Sequence, residues 1–78
     1  MIELTTDQTN LLYDATTLFH QWYKIHWGEG SPSFGVLLEL NHNKIHDMAL
    51  YGELTESQIT LSLEGMIKTY DGYIRNEV

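Results

Sequence analysis

Residues 5–27, TTDQTNLLYDATTLFHQWYKIHW, decide the fold, because a single helix there carries two separate patterns. Leu11, Ala15, Leu18, Trp22 and Ile25, with Leu12 and Phe19 beside them, recur at the three-and-four spacing of a helix that turns one side to a core. Roughly half a revolution away, Tyr13, Thr16, His20, Tyr23 and Trp27 keep the same spacing on the side expected to face water. Thr5-Thr6-Asp7-Gln8 supplies the helix start: Thr5 can cap the first free amides while Gln8 reaches back, and Asp7 suits the positive end of the dipole. The spacing predicts a helix over 6–26, broken by Gly28-Glu29-Gly30-Ser31-Pro32-Ser33.

Downstream, Ser31 followed by Pro32 reads as a cap and first helical position, since proline there gives up no needed hydrogen bond. Phe34, Leu37, Leu38, Ile45, Met48 and Ala49 then hold one side through to Gly52, which predicts a second helix over 32–51. Its weak points are Gly35 and the polar run Asn41-His42-Asn43-Lys44, where the helix could kink or divide. A strand over 34–40 is the rival reading, but Leu37-Leu38 interrupts the alternation and no partner strand is evident. Thr55-Glu56-Ser57-Gln58 repeats the start signal, and Ile59, Leu63, Met66, Ile67, Tyr70, Tyr73 and Ile74 form the apolar stripe of a third helix over 56–75.

The expected architecture is therefore all-α: one compact three-helix bundle spanning residues 1–78, with four helices if the middle one breaks near Asn41–Asn43. A 78-residue globule should have a radius of gyration of roughly 12 Å. A chain this short buries only about 60% of its unfolded surface, which favours association with a partner or a second copy. Val36, Leu40, Leu50 and Tyr51 lie off the main side of helix 2 and could serve a homodimer contact. On helix 3, Leu61, Gly65, Lys68 and Gly72 share the side opposite its stripe, where glycine would let another backbone approach or loosen the helix.

Eleven acidic residues stand against four bases, Lys24, Lys44, Lys68 and Arg75, for a formal charge of −7. Binding of a phosphate backbone depends on clustered bases that displace counterions, so direct nucleic-acid binding is not expected. The same field favours encounter with a basic surface, such as the groove of a nucleic-acid-binding protein. The chain has no cysteine, which removes disulfides, thiolate metal sites and cysteine nucleophiles together. Met1-Ile2-Glu3-Leu4 reads as neither a leader nor an anchor, no apolar span is long enough for a bilayer, and the expected setting is the cytoplasm.

Constellations that could carry chemistry are sparse. His42 and His46 are spaced one helical turn apart, with Glu39 a turn earlier, making Glu39, His42 and His46 a weak candidate metal set, but Lys44 between them repels a cation. His26 projects onto the apolar side of helix 1 and is expected in the core. The glycine-bearing loop lacks the Gly-Lys-Ser/Thr ending of a phosphate cradle and the serine placement of a nucleophile elbow. Carboxylates are scattered singly, so no paired acid and base is expected, nor a cofactor, and the chain reads as non-enzymatic. What remains is a protein-binding surface of Tyr13, Thr16, His20, Tyr23 and Trp27 with the acids Asp7 and Asp14. Size and charge make a small inhibitor or regulator of a nucleic-acid-handling protein, of phage or mobile-element type, the concrete expectation; a homo-oligomeric module and a divalent-metal binder are the alternatives.

Overall fold

The structure is a computed structural model that describes residues 3–76. Met1 and Ile2, the first half of the segment read as carrying no leader, lie outside the described residues. Among the described residues there are three α-helices and no strand: α1, Thr6–Trp27; α2, Phe34–Gly52; and α3, Glu56–Asn76. The radius of gyration is 12.8 Å, close to the size expected of one densely packed bundle.

Local chemistry places the helix starts. Thr5 Oγ1 accepts from the Gln8 amide at 3.1 Å while the Thr5 amide donates to Gln8 Oε1 at 3.0 Å, completing the expected capping box. Thr55 and Gln58 make the same reciprocal pair, at 2.8 and 3.3 Å, at the head of α3. The second start lies later than the sequence suggests: Ser33, not Ser31, caps α2 through an acceptance from the Val36 amide at 3.3 Å. Ser31 stays extended before Pro32, as residues preceding proline prefer, and its amide closes the turn onto Gly28 O. Helix α1 stops at Gly28, whose φ of 60° glycine adopts without a side-chain clash.

Helix α2 is continuous through Gly35 and through Asn41-His42-Asn43-Lys44, so the four-helix variant does not arise. The reason is tertiary. Asn41 is buried, and its side chain finds both of its partners in neighbouring helices rather than competing for its own backbone. Gln8 pairs with the head of α3 and Phe19 stacks on Tyr70, so α1 and α3 run side by side in the same direction, with α2 running back against both. The core comprises Leu12 and Ala15 from α1, Leu37, Ile45 and Ala49 from α2, and Ile59, Leu63, Met66 and Tyr70 from α3.

Inside α1, the inward line is Gln8, Leu12, Ala15 and Thr16, rotated from the apolar stripe read in the sequence. Ile25 and His26 are exposed and Trp22 is half-buried, although all three were expected inside. Two features account for this. The helix is flanked by neighbours on two sides, so residues between the two apolar stripes are covered. Phe34, the first residue of α2, packs against Tyr13 and His20 at mid-α1, so the last turns of α1 run on past the start of α2. Met48 and Tyr73, likewise expected inside, are 41% and 50% exposed at the margins of the interface.

The interior is not purely apolar. Thr16 Oγ1 donates to Leu12 O at 2.8 Å and accepts from Asn41 Nδ2 at 3.1 Å; Asn41 Oδ1 in turn accepts from the Tyr70 hydroxyl at 3.2 Å. One chain of hydrogen bonds thus joins all three helices. At the other end of the bundle, Gln8 Nε2 donates to Glu56 O at 3.0 Å and to Thr60 Oγ1 at 3.2 Å, tying one capping box to the next helix. Among the described residues no buried side-chain nitrogen or oxygen lacks a partner, so these polar groups avoid the desolvation penalty of an unmade bond. Burial raises the Tyr70 phenol above its ordinary value of 10.0, with the Tyr73 and Tyr23 hydroxyls adding to the effect, which keeps it protonated as the donor this chain requires. No described helix is long and apolar enough to cross a membrane.

Candidate functional site

Beyond the start of α2, the C-terminal turns of α1 and α3 pack against each other. Trp22 reaches Tyr73 at 6.4 Å between ring centroids, and Tyr70 meets Tyr73 at the same distance. Beneath them Phe19 stacks almost flat on Tyr70, at 4.6 Å and 7°, and meets Tyr23 edge-on at 4.9 Å. Tyr23 continues the array to Trp27 at 6.0 Å, while Trp22 lies against His26 at 4.6 Å. The array passes from buried to exposed along its length: Tyr70 is 7% accessible and Trp27 is 62% accessible. Aromatic pairs in offset or edge-on geometry hold one another in place, so the outer rings are oriented before anything touches them.

The surface expected on α1 divides into three parts. Thr16 leaves it altogether, at 0% exposure, because α2 crosses α1 on that side and Asn41 takes its hydroxyl. Tyr13 and His20 clasp Phe34 between a stacked contact at 6.1 Å and an edge contact at 5.9 Å, anchoring the start of α2. Tyr23 and Trp27 alone join the aromatic end. Asp7 and Asp14 are exposed, but each lies about a third of a turn around α1 from Tyr13, and Asp14 is about 20 Å along the axis from Trp27. Rings and acids therefore do not form one patch. The aromatic end instead has mixed charge nearby, with Asp71 paired to Arg75 at 2.8 Å and Lys24 in the last turn of α1.

Trp22 and Tyr73 belong to this end although their spacing assigned them to the core. The signal that could have revealed them is the six-residue connection, 28–33, which is long enough to let α2 begin well below the end of α1.

Among the described residues no three His, Cys, Asp or Glu side chains converge as metal ligands, so Glu39, His42 and His46 do not form the candidate set. His46 Nδ1 lies 3.7 Å from the Asp47 carboxylate, and Glu39 and His42 instead line a groove toward α1. Open grooves flank α2 on two sides among the described residues. One, about 580 Å³, lies between the N-terminal segment, α1 and α2; the other, about 260 Å³, lies between α2 and α3, with Met66 and Tyr70 beneath Met48 and Gly65. Gly65 and Gly72 have no atom within 4 Å of where a Cβ would stand, so packing within one chain does not demand glycine at either position.

Comparison with protein-family models, with curated proteins and with solved structures finds no match.

Proposed function

We propose that the chain is a small acidic protein-binding module that docks through its aromatic end, Trp22, Tyr23, Trp27 and Tyr73. The observation that carries this reading is the graded ring array itself: Trp27 and Tyr73 are 62% and 50% exposed, yet both are seated on rings whose own positions are held by the core. Such anchors combine large apolar area with few rotatable bonds, the property that concentrates binding energy at tryptophan and tyrosine. Pre-orientation lowers the ordering cost of docking further.

Charge indicates the kind of partner. With a formal charge of −7, the field of the whole chain draws in a basic surface, and the aromatic anchors then hold it. The concrete form is a non-enzymatic inhibitor or regulator of a nucleic-acid-handling protein, of phage or mobile-element type, working in the cytoplasm, where a chain without cysteine needs no oxidising environment. Both tryptophans lie at this end, so their fluorescence reports it directly. Affinity capture from the host lysate, with wild type and with the Trp27→Ala/Tyr73→Ala variant, tests the reading. A protein retained by the first and lost by the second, whose addition shifts tryptophan emission to the blue, supports it; equal retention by both removes it.

A specific observation favours a second reading, a homodimer through α2. Val36, Leu40 and Leu50 are each more than half exposed and Tyr51 is 83% exposed, an apolar surface along α2. Light scattering across a concentration series, with wild type and Leu40→Glu/Tyr51→Glu, separates the two. A mass of two chains that reverts to one in the variant assigns this surface to self-association.

A further inference from the structure

Among the described residues, half of the exposed large hydrophobic side chains, Val36, Leu40, Met48, Leu50 and Tyr51, belong to α2. Leu37, Asn41, Ile45 and Ala49 turn inward along that helix at steps of four. About a third of a turn away, Leu40, Lys44, Asp47 and Tyr51 follow one another at steps of four, three and four, so they share one outward side, and all are exposed. This is the spacing of a helix seam, with an apolar residue at each end and opposite charges in the middle. Among the described residues Lys44 has no ion-pair partner. Asp47 lies 3.7 Å from His46 Nδ1, but its side chain is 66% exposed and stays open to a second contact.

Building on the homodimer reading of α2, on which this step rests, we infer that the seam pairs antiparallel with the same seam of a second copy, about a twofold axis passing between Ile45 and His46. Twofold symmetry makes every contact reciprocal, so Lys44 opposite Asp47 of the second copy also sets Asp47 opposite its Lys44. The same register brings Leu40 against Tyr51 at both ends, with Leu50 beside each pair. A parallel arrangement would instead set Lys44 against Lys44 and Asp47 against Asp47. An antiparallel slip of one turn leaves Asp47 over Leu40 or over Met48, and both ion pairs are lost. Each copy carries a formal charge of −7, so two copies repel overall, and a contact at which opposite charges meet offsets part of that repulsion. At 19 residues α2 is about 28 Å long and about 10 Å across, less than the ~800 Å² per partner of a standard interface, so the pairing is weak and reversible.

The test is light scattering and sedimentation of the whole chain from about 10 μM to about 1 mM, with wild type, Lys44→Glu, Asp47→Lys and the exchange variant Lys44→Glu/Asp47→Lys. Each single reversal turns two attractions into two repulsions and should weaken dimerisation about tenfold. The exchange variant restores both pairs and should return to within about threefold of wild type. It also keeps the formal charge at −7, which separates register from net charge. Mixed in equal amounts, Lys44→Glu and Asp47→Lys chains should pair with each other more tightly than either does with itself. Both positions are exposed, so circular dichroism should be unchanged. A dimer that Leu40→Glu/Tyr51→Glu dissociates but that the single reversals leave as tight as wild type keeps the α2 surface and overturns the register. An exchange variant no tighter than the single reversals overturns it as well. A chain that stays single at the highest concentration overturns the register and the α2 dimer together. None of these outcomes bears on Trp27 and Tyr73, whose docking role is tested separately.

Discussion

At the level of Thr16 the interior of the bundle holds an alcohol, an amide and a phenol in one hydrogen-bonded chain, whereas two turns further along α1 indole and phenol rings face water. Both regions reverse the usual rule that polar groups lie outside and large apolar ones inside. The inner reversal costs little because every group is paired, and it requires one particular arrangement of three helices, which a purely apolar interface would not demand. The outer reversal is tolerated because the rings lean on one another, and it leaves apolar area available to a partner. Specification of the fold and capacity to bind are thus placed at different heights of one small molecule.

Four substitutions can break or sharpen this contrast. Asn41→Ala removes the middle of the buried chain and strands the Tyr70 hydroxyl, and should destabilise the protein by about 3 kcal/mol in urea unfolding. A loss under about 1 kcal/mol would mean that the buried chain does not hold the helices together. Gln8→Ala deletes half of a capping box and the two bonds to the head of α3, for an expected loss of about 2 kcal/mol by the same measurement.

Tyr70→Phe keeps the stacked ring and loses one bond, about 1 kcal/mol, but it carries a sharper signature in alkali. The folded phenol holds its proton more tightly than the unfolded one, whose ordinary value is 10.0. Its contribution is therefore complete below that value and is lost as the pH rises past it toward the raised folded value. Unfolding curves recorded on either side of pH 10.0 should show a smaller alkaline loss in Tyr70→Phe than in wild type. The smallest effect is reserved for the outer region: Trp27→Ala should change stability by no more than about 0.5 kcal/mol. A large loss there would show that the exposed rings brace the fold rather than serve an encounter.

Much of the fold was legible because its signals are local. The Thr5–Gln8 and Thr55–Gln58 pairs act within a single turn, so spacing alone located two helix starts. Ser31 was read as the cap because Pro32 follows it, but the Ser31 amide is spent on Gly28 O and the Ser33 hydroxyl takes the Val36 amide, which puts the start of α2 two residues later. Asn41 was misread as a weak point because intrinsic preference counts an amide in a helix as a competitor for backbone bonds. That preference disappears once Thr16 and Tyr70 supply its partners. The candidate surface suffered in the same way: Thr16, Tyr13, His20 and Trp27 share one spacing but end in a core, in a clasp around Phe34 and in open water.

By itself the order of residues determined the class of the molecule, its helical segments and most of their ends, since periodicity and capping operate over a few neighbours. Only the tertiary structure decided which side of α1 is inside, whether α2 stays whole and where the rings emerge. Those outcomes depend on the height at which one helix meets another. That height is a balance among contacts between residues tens of positions apart, and no window along the chain contains it.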